Sequence, residues 1–233
     1  PTSETGWSPL SGDQIGSLLG EFLASRGMKG SLANSIVSSR LLSRIARAHG
    51  LDHHTTLTGF KWIARAPGLG FGYEEAIGFC PDPAHVRDKD GIATSVVAAS
   101  LVAALKAQGC SVWDELERLA RLHGLHVSSP LTFRVEQIEQ IASGMARLRA
   151  QPPSVLAGSP VVEVSDLSQG YRGLPPTDGV LVLTKAGDRV IARPSGTEPK
   201  LKCYLEVILP APEGEPVPWD EAYERLERIK REF

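Results

Sequence analysis

Residues 189–209 read RVIARPSGTEPKLKCYLEVIL. Residues 189–192 and 201–209 are strand-like, rich in β-branched and apolar side chains, so RPSGTEPK, from Arg193 to Lys200, is a connection presented at the end of a sheet. Eight residues are many for a hairpin loop, and these suit an anion. Arg193 offers a planar fork for bidentate contact, Ser195 and Thr197 offer hydroxyls, and Gly196 lets backbone N–H groups approach closely. Lys200 and Lys202 are two apart on a strand, hence on one face, and bring charge to the mouth of the loop. Glu198 reads as a partner that orients those cations. Composition alone leaves a second reading open, in which Pro194, Gly196 and Pro199 are turn residues of an exposed loop and the charges are solvated.

Working outward, further strand-like runs at residues 161–164 and 179–184 and the tight turn Ala186-Gly187-Asp188 predict an antiparallel sheet. Helical spacing at Val135, Ile138, Ile141, Ala142, Met145 and Leu148, and again at Trp219, Ala222, Tyr223, Leu226 and Ile229, adds helices on one face. Residues 210–218 are proline-rich and read as a linker to the last helix. This half is α+β. The turn residues of VSSP, 127–130, set its start, which gives domains of residues 1–127 and 128–233.

The first domain begins with a capping box, Ser11 with Gln14, before a helical face of Ile15, Leu18, Leu19, Phe22 and Leu23 that stops at Gly27. A strand near residues 32–37, a helix through Leu41, Leu42, Ile45 and Ala46 ending at Gly50, short strands near 55–57 and within 67–72, and a helix from Gly91 follow. Such alternation predicts an α/β/α layer arrangement on a mixed, largely parallel sheet.

The chain has 25 basic and 27 acidic residues in a mixed order and a net charge of -2, which excludes a broad field for nucleic acid or a membrane surface. Any phosphate is held locally. Three scattered cysteines suggest neither disulfides nor zinc, no apolar run approaches the roughly 20 residues of a membrane span, and the first residues are unlike a signal peptide. These features predict a cytoplasmic protein.

Three further segments carry candidate chemistry. In GFGYEEAIG, Glu74 and Glu75 are adjacent carboxylates bracketed by glycines; they suit vicinal hydroxyls, or the positive end of a helix dipole. HVRDKDG places Arg87, Asp88 and Lys89 just before a helix; it lacks the third early oxygen ligand and the distant glutamate of a calcium loop. TGFKW contains Thr58 and Gly59 in a turn, with Lys61 and Trp62 readable as surface and core residues. His53 and His54 lack metal-ligand spacing and read as structural or exposed.

RPSGTEPK closely resembles the phosphate-binding loop in the last domain of the α-D-phosphohexomutases, the phosphoglucomutase and phosphomannomutase family, and the other three segments resemble parts of that family's third domain. The resemblance spans essentially the whole chain but only domains 3 and 4. It implies an α/β/α domain followed by a smaller, TATA-binding-protein-like α+β domain. It implies that Arg193, Ser195, Gly196, Thr197, Lys200 and Lys202 hold a phosphate, that Glu74, with Glu75, Thr58, Gly59 and Arg87, serves the sugar, and that Lys89 is a candidate general acid or base. The family's phosphoserine loop and Asp-x-Asp-x-Asp magnesium loop are absent, so Mg2+ and the missing N-terminal domains 1 and 2 belong to the full-length enzyme and no metal to this chain. The implied activity is interconversion of sugar 1- and 6-phosphates through a bisphosphate, with this portion inactive alone. Ala76 stands where the family has a serine, and GYEEAIG looks more like the branch of phosphopentomutases and glucose-1,6-bisphosphate synthases. A stand-alone phosphosugar-binding module is the alternative of another class.

Overall fold

The structure is a computed structural model that describes residues 7–195 and 198–233. Contacts divide the chain into two units, Pro1–Arg118 and Leu119–Phe233.

In the first unit Ser11 caps α1 (Gly12–Ser25): its hydroxyl accepts from the Gln14 N–H at 3.2 Å, and the Gln14 side chain accepts from the Ser11 N–H at 2.8 Å. There follow β1 (Ser31–Ser35), α2 (Leu41–Ala48), β2 (His53–Thr56), the single turn α3 (Phe60–Ile63), β3 (Leu69–Glu74), β4 (Gly78–Cys80) and α4 (Gly91–Ala107). The strand order is β2-β1-β3-β4, with β1, β2 and β3 parallel and β4 antiparallel to β3. Every residue of β1 is buried, as a parallel strand covered on both faces requires. α1 packs closely on β3 through Gly16, where a Cβ would lie 2.5 Å from the Tyr73 ring.

The second unit holds β5 (Leu125–Arg134), α6 (Glu139–Ala150), β6 (Val155–Leu156), β7 (Ser159–Asp166), β8 (Val180–Thr184), β9 (Arg189–Pro194), β10 (Lys200–Leu209) and α7 (Trp219–Glu232). All six strands pair antiparallel in the order β5-β10-β9-β8-β7-β6. Val190, Ala192, Cys203, Leu205 and Val207 share one core with Ile141 and Met145 of α6 and Ala222, Leu226 and Ile229 of α7. The expected α/β and α+β architectures are both present.

Three local readings change. Residues 127–130 are not a turn: Val127, Ser128, Ser129 and Pro130 pair with Val207, Glu206, Leu205 and Tyr204 inside β5. Pro130 is tolerated because β5 is an edge strand, where a missing N–H interrupts no ladder on its outer side. The contact division falls upstream of that point, within α5 (Val112–His123), a helix the periodicity reading passes over. Its start is marked by Ser111 and Asp114, whose side chains each accept from the other's N–H at 3.2 and 2.6 Å. Finally, α6 begins at Glu139, leaving Val135 and Ile138 ahead of the helix.

Candidate functional site

In the first unit the site residues gather where the parallel strands end. β1, β2 and β3 run in one direction, so Ser35, Thr56 and Glu74 share the carboxyl edge of the sheet, the edge at which α/β folds place ligands. Successive strand side chains point to opposite faces, and the two glutamates diverge accordingly. Glu74 reaches toward the turn after β2, where its Oε1 accepts from the Gly59 N–H at 2.7 Å. Gly59 sits at φ 107°, a conformation that favours glycine, so the Thr58-Gly59 turn is shaped by residue type and held by Glu74.

Glu75 turns inward. Its Oε2 accepts from the hydroxyls of Ser35 at 3.2 Å and Ser38 at 3.0 Å, and its N–H donates to Ser38 Oγ at 3.3 Å. Burial, followed by the charge of Asp13, raises its pKa. Buried Asp13 accepts from the Ser39 N–H at 2.7 Å and the Tyr73 hydroxyl at 2.9 Å, and burial and the Asp13 charge push the Tyr73 hydroxyl well above the usual phenol range. Asn34 Nδ2 donates to Ser39 O at 2.8 Å, and His53 Nε2 lies 3.0 Å from Asn34 Oδ1. The 35–39 loop, β3 and the start of α1 are thereby joined by one polar network beneath Glu74. Sequence reading missed Asp13, Asn34, Ser35 and Ser38, because a polar residue in a helix's first turn or a Ser-rich loop looks solvated until the tertiary contacts bury it.

Lys89 lies at the rim. Its Nζ is 3.1 Å from Asp88 Oδ1 and 4.9 Å from the centre of the Phe60 ring, and a Cβ on Gly78 would meet its stem at 2.8 Å. The side chain is 54% exposed. Asp90 is a helix cap, its Oδ1 accepting from the Ile92 and Ala93 N–H groups at 3.0 Å each. Arg87 is exposed on the same turn.

In the second unit Arg193 and Lys202 are directly opposed across β9 and β10, and Lys200 follows two residues before Lys202 on the same face. The Ser195 N–H donates to Lys200 O at 2.9 Å, closing the base of the loop, and Lys200 forms an ion pair with Glu198. That pair, with smaller contributions from Arg134 and Lys202, holds the Glu198 carboxyl below its usual range. Gly196 and Thr197, both expected to contact phosphate, lie outside the described residues. At the other end of β9, the Arg225 guanidinium makes a two-toothed contact with buried Asp188 at 2.9 and 2.7 Å, tying the β8–β9 turn to α7. Among the described residues no group of three or more His, Cys, Asp or Glu side chains is placed to hold a metal ion, and no single helix is long and apolar enough to cross a membrane.

One unit thus presents carboxylates at the edge of a largely parallel sheet, and the other presents a cationic hairpin on an antiparallel one. Residues 11–121 match the family model described as phosphoglucomutase/phosphomannomutase, alpha/beta/alpha domain III, and residues 133–215 match its C-terminal domain. The chain belongs to the phosphoglucomutase/phosphomannomutase family. It is 40% identical over 208 residues to the "Probable phosphomannomutase" of Haemophilus influenzae, covering 88% of this chain and 42% of that protein. It is 29% identical to the phosphopentomutase of Mus musculus, covering 90% and 39%. The open form of parafusin, a phosphoglucomutase from Paramecium, superposes with a TM-score of 0.68 at 18% identity, over 96% of this chain and 41% of that one, a likeness of fold. The chain thus spans about two fifths of the length of these relatives.

Proposed function

We propose that this chain binds a sugar phosphate within an enzyme that interconverts sugar 1-phosphate and 6-phosphate through a bisphosphate. Arg193, Ser195, Gly196, Thr197, Lys200 and Lys202 hold the phosphate that is not being transferred. Glu74 accepts hydrogen bonds from sugar hydroxyls, with Thr58, Gly59 and Arg87 beside it and Glu75 bracing the turn from below. Lys89 is the candidate proton donor or acceptor. The observation that carries this reading is the opposed Arg193 and Lys202 pair at the mouth of the β9–β10 loop, in a chain of this family. Both orientations of a bisphosphate put one phosphate at the same place, so a cradle of charge and N–H donors, indifferent to which carbon bears the phosphate, serves the reaction. The family resemblance assigns the phosphoryl-carrying serine and the magnesium ligands to domains 1 and 2 of the full-length enzyme. The enzyme reading predicts no turnover by this chain alone.

Calorimetry with glucose 6-phosphate tests the assignment. Arg193→Ala weakens binding by about 1.5 to 3 kcal/mol, the worth of a charged hydrogen bond, and an unchanged affinity would falsify it. A coupled assay with glucose 1-phosphate tests the second point; turnover by the purified chain would reassign the phosphoryl carrier. Ala76 at the Glu74 turn favours a second reading of the substrate, a pentose phosphate or the synthesis of glucose 1,6-bisphosphate, and the phosphopentomutase relative supports it. Competition between ribose and glucose phosphates in the same calorimetry separates these.

A further inference from the structure

The β5–β10 ladder is continuous from Leu125 opposite Leu209 to Arg134 opposite Lys200. In an antiparallel pair, opposed residues share a face, and so do alternate residues along each strand. Arg134 and Thr132 of β5, Lys200 and Lys202 of β10, and Arg193 of β9 therefore occupy one face at one end of the sheet. Two like-charge pairs, Arg134 with Lys200 and Arg193 with Lys202, stand side by side there, an arrangement that is unfavourable in a protein without an anion over it. Glu198 offsets a single charge through its ion pair with Lys200. The Val135 N–H donates to Pro199 O at 3.1 Å, so the end of β5 is fastened to the phosphate loop itself and Arg134 keeps its place relative to it.

We infer that Arg134 is a further phosphate-binding residue, closing the cradle from the β5 side while Arg193 closes it from β9. The inference rests on the reading of the β9–β10 loop as a phosphate site. Beside Lys200, whose charge Glu198 partly offsets, the exposed Arg134 guanidinium offers a fork of N–H donors to the outer phosphate oxygens. The site then carries charge from three strands, and it favours a dianionic phosphate over a singly charged or neutral sugar.

The test is calorimetry on the whole chain with inorganic phosphate and with glucose 6-phosphate, comparing wild type, Arg134→Ala, Arg134→Lys and Arg193→Ala. Arg134→Ala weakens both ligands about fivefold, the scale of a partly exposed charge contact, and flattens the salt dependence; Arg134→Lys retains part of the affinity. Urea titration without ligand supplies a second readout: removing a like-charge neighbour leaves the Arg134→Ala chain at least as stable as wild type. Wild-type affinity in Arg134→Ala beside a weakened Arg193→Ala overturns the inference and leaves the loop reading standing. Loss of stability in Arg134→Ala also counts against it, since that is the mark of a structural residue. If the wild type binds neither ligand, or Arg193→Ala has no effect, the loop reading fails and Arg134 falls with it.

Discussion

Glu74 holds the Gly59 amide at the surface of the site while Glu75, its neighbour, holds two serine hydroxyls beneath it. Substitution separates them. Glu74→Ala removes a hydroxyl acceptor and the tether of the Thr58-Gly59 turn, so glucose 6-phosphate binds about 1 to 2 kcal/mol more weakly. Inorganic phosphate, which needs only the loop in the other unit, binds as before. Equal losses for both ligands would show that Glu74 acts through general folding rather than at the sugar. That the pair is acidic was plain from the sequence; that its members face opposite ways was not, because it depends on Glu74 being the last residue of β3 rather than part of a turn.

At the scale of elements, close packing sets the site. Gly16 allows α1 to lie against β3 at Tyr73, whose hydroxyl supports Asp13. Gly16→Ala drives a methyl group into the ring, and a cost of about 1 to 3 kcal/mol follows in urea titration; a cost below about 0.5 kcal/mol would mean that the helix shifts freely. Asp90 caps α4 and fixes the turn that carries Lys89, so Asp90→Ala lowers stability by about 1 kcal/mol, read the same way. Local signals sufficed for α1, α2, β9 and β10, since caps, glycine stops and apolar spacing all lie within a few residues of what they determine. β5 was illegible for the opposite reason. Its partner β10 lies far along the chain, as the contact of His126 with Glu206 at 3.1 Å illustrates, and only that pairing makes a strand of residues 127–130. Arg134 was hidden with it, because the register of β5 against β10 alone brings it beside the β9–β10 loop.

For the molecule as a whole, the half-buried His53 and Glu75 of the first unit shape how stability changes with pH. Burial, and then the neighbouring charge of His54, pushes the His53 pKa down to about 4 from an ordinary value of 6.5. The unfolded chain therefore binds a proton between these values that the folded chain refuses, so the contribution of neutral His53 is complete above pH 6.5 and is lost as pH falls toward 4. The gap corresponds to up to about 3 kcal/mol. Glu75 has the opposite sign: its raised pKa means that the folded state keeps a proton longer, so its contribution grows as the solution is acidified through that pKa and is lost on returning to neutrality. His53→Gln retains hydrogen-bonding capacity toward Asn34 and removes the titration. Urea titrations at pH 7 and pH 5 then show a loss for wild type on acidification, a smaller one for His53→Gln, and a larger one for Glu75→Gln, in which the opposing contribution of Glu75 is gone. Identical pH dependence in wild type and His53→Gln would place the acid sensitivity outside the network that links His53, Asn34, Ser39 and Asp13.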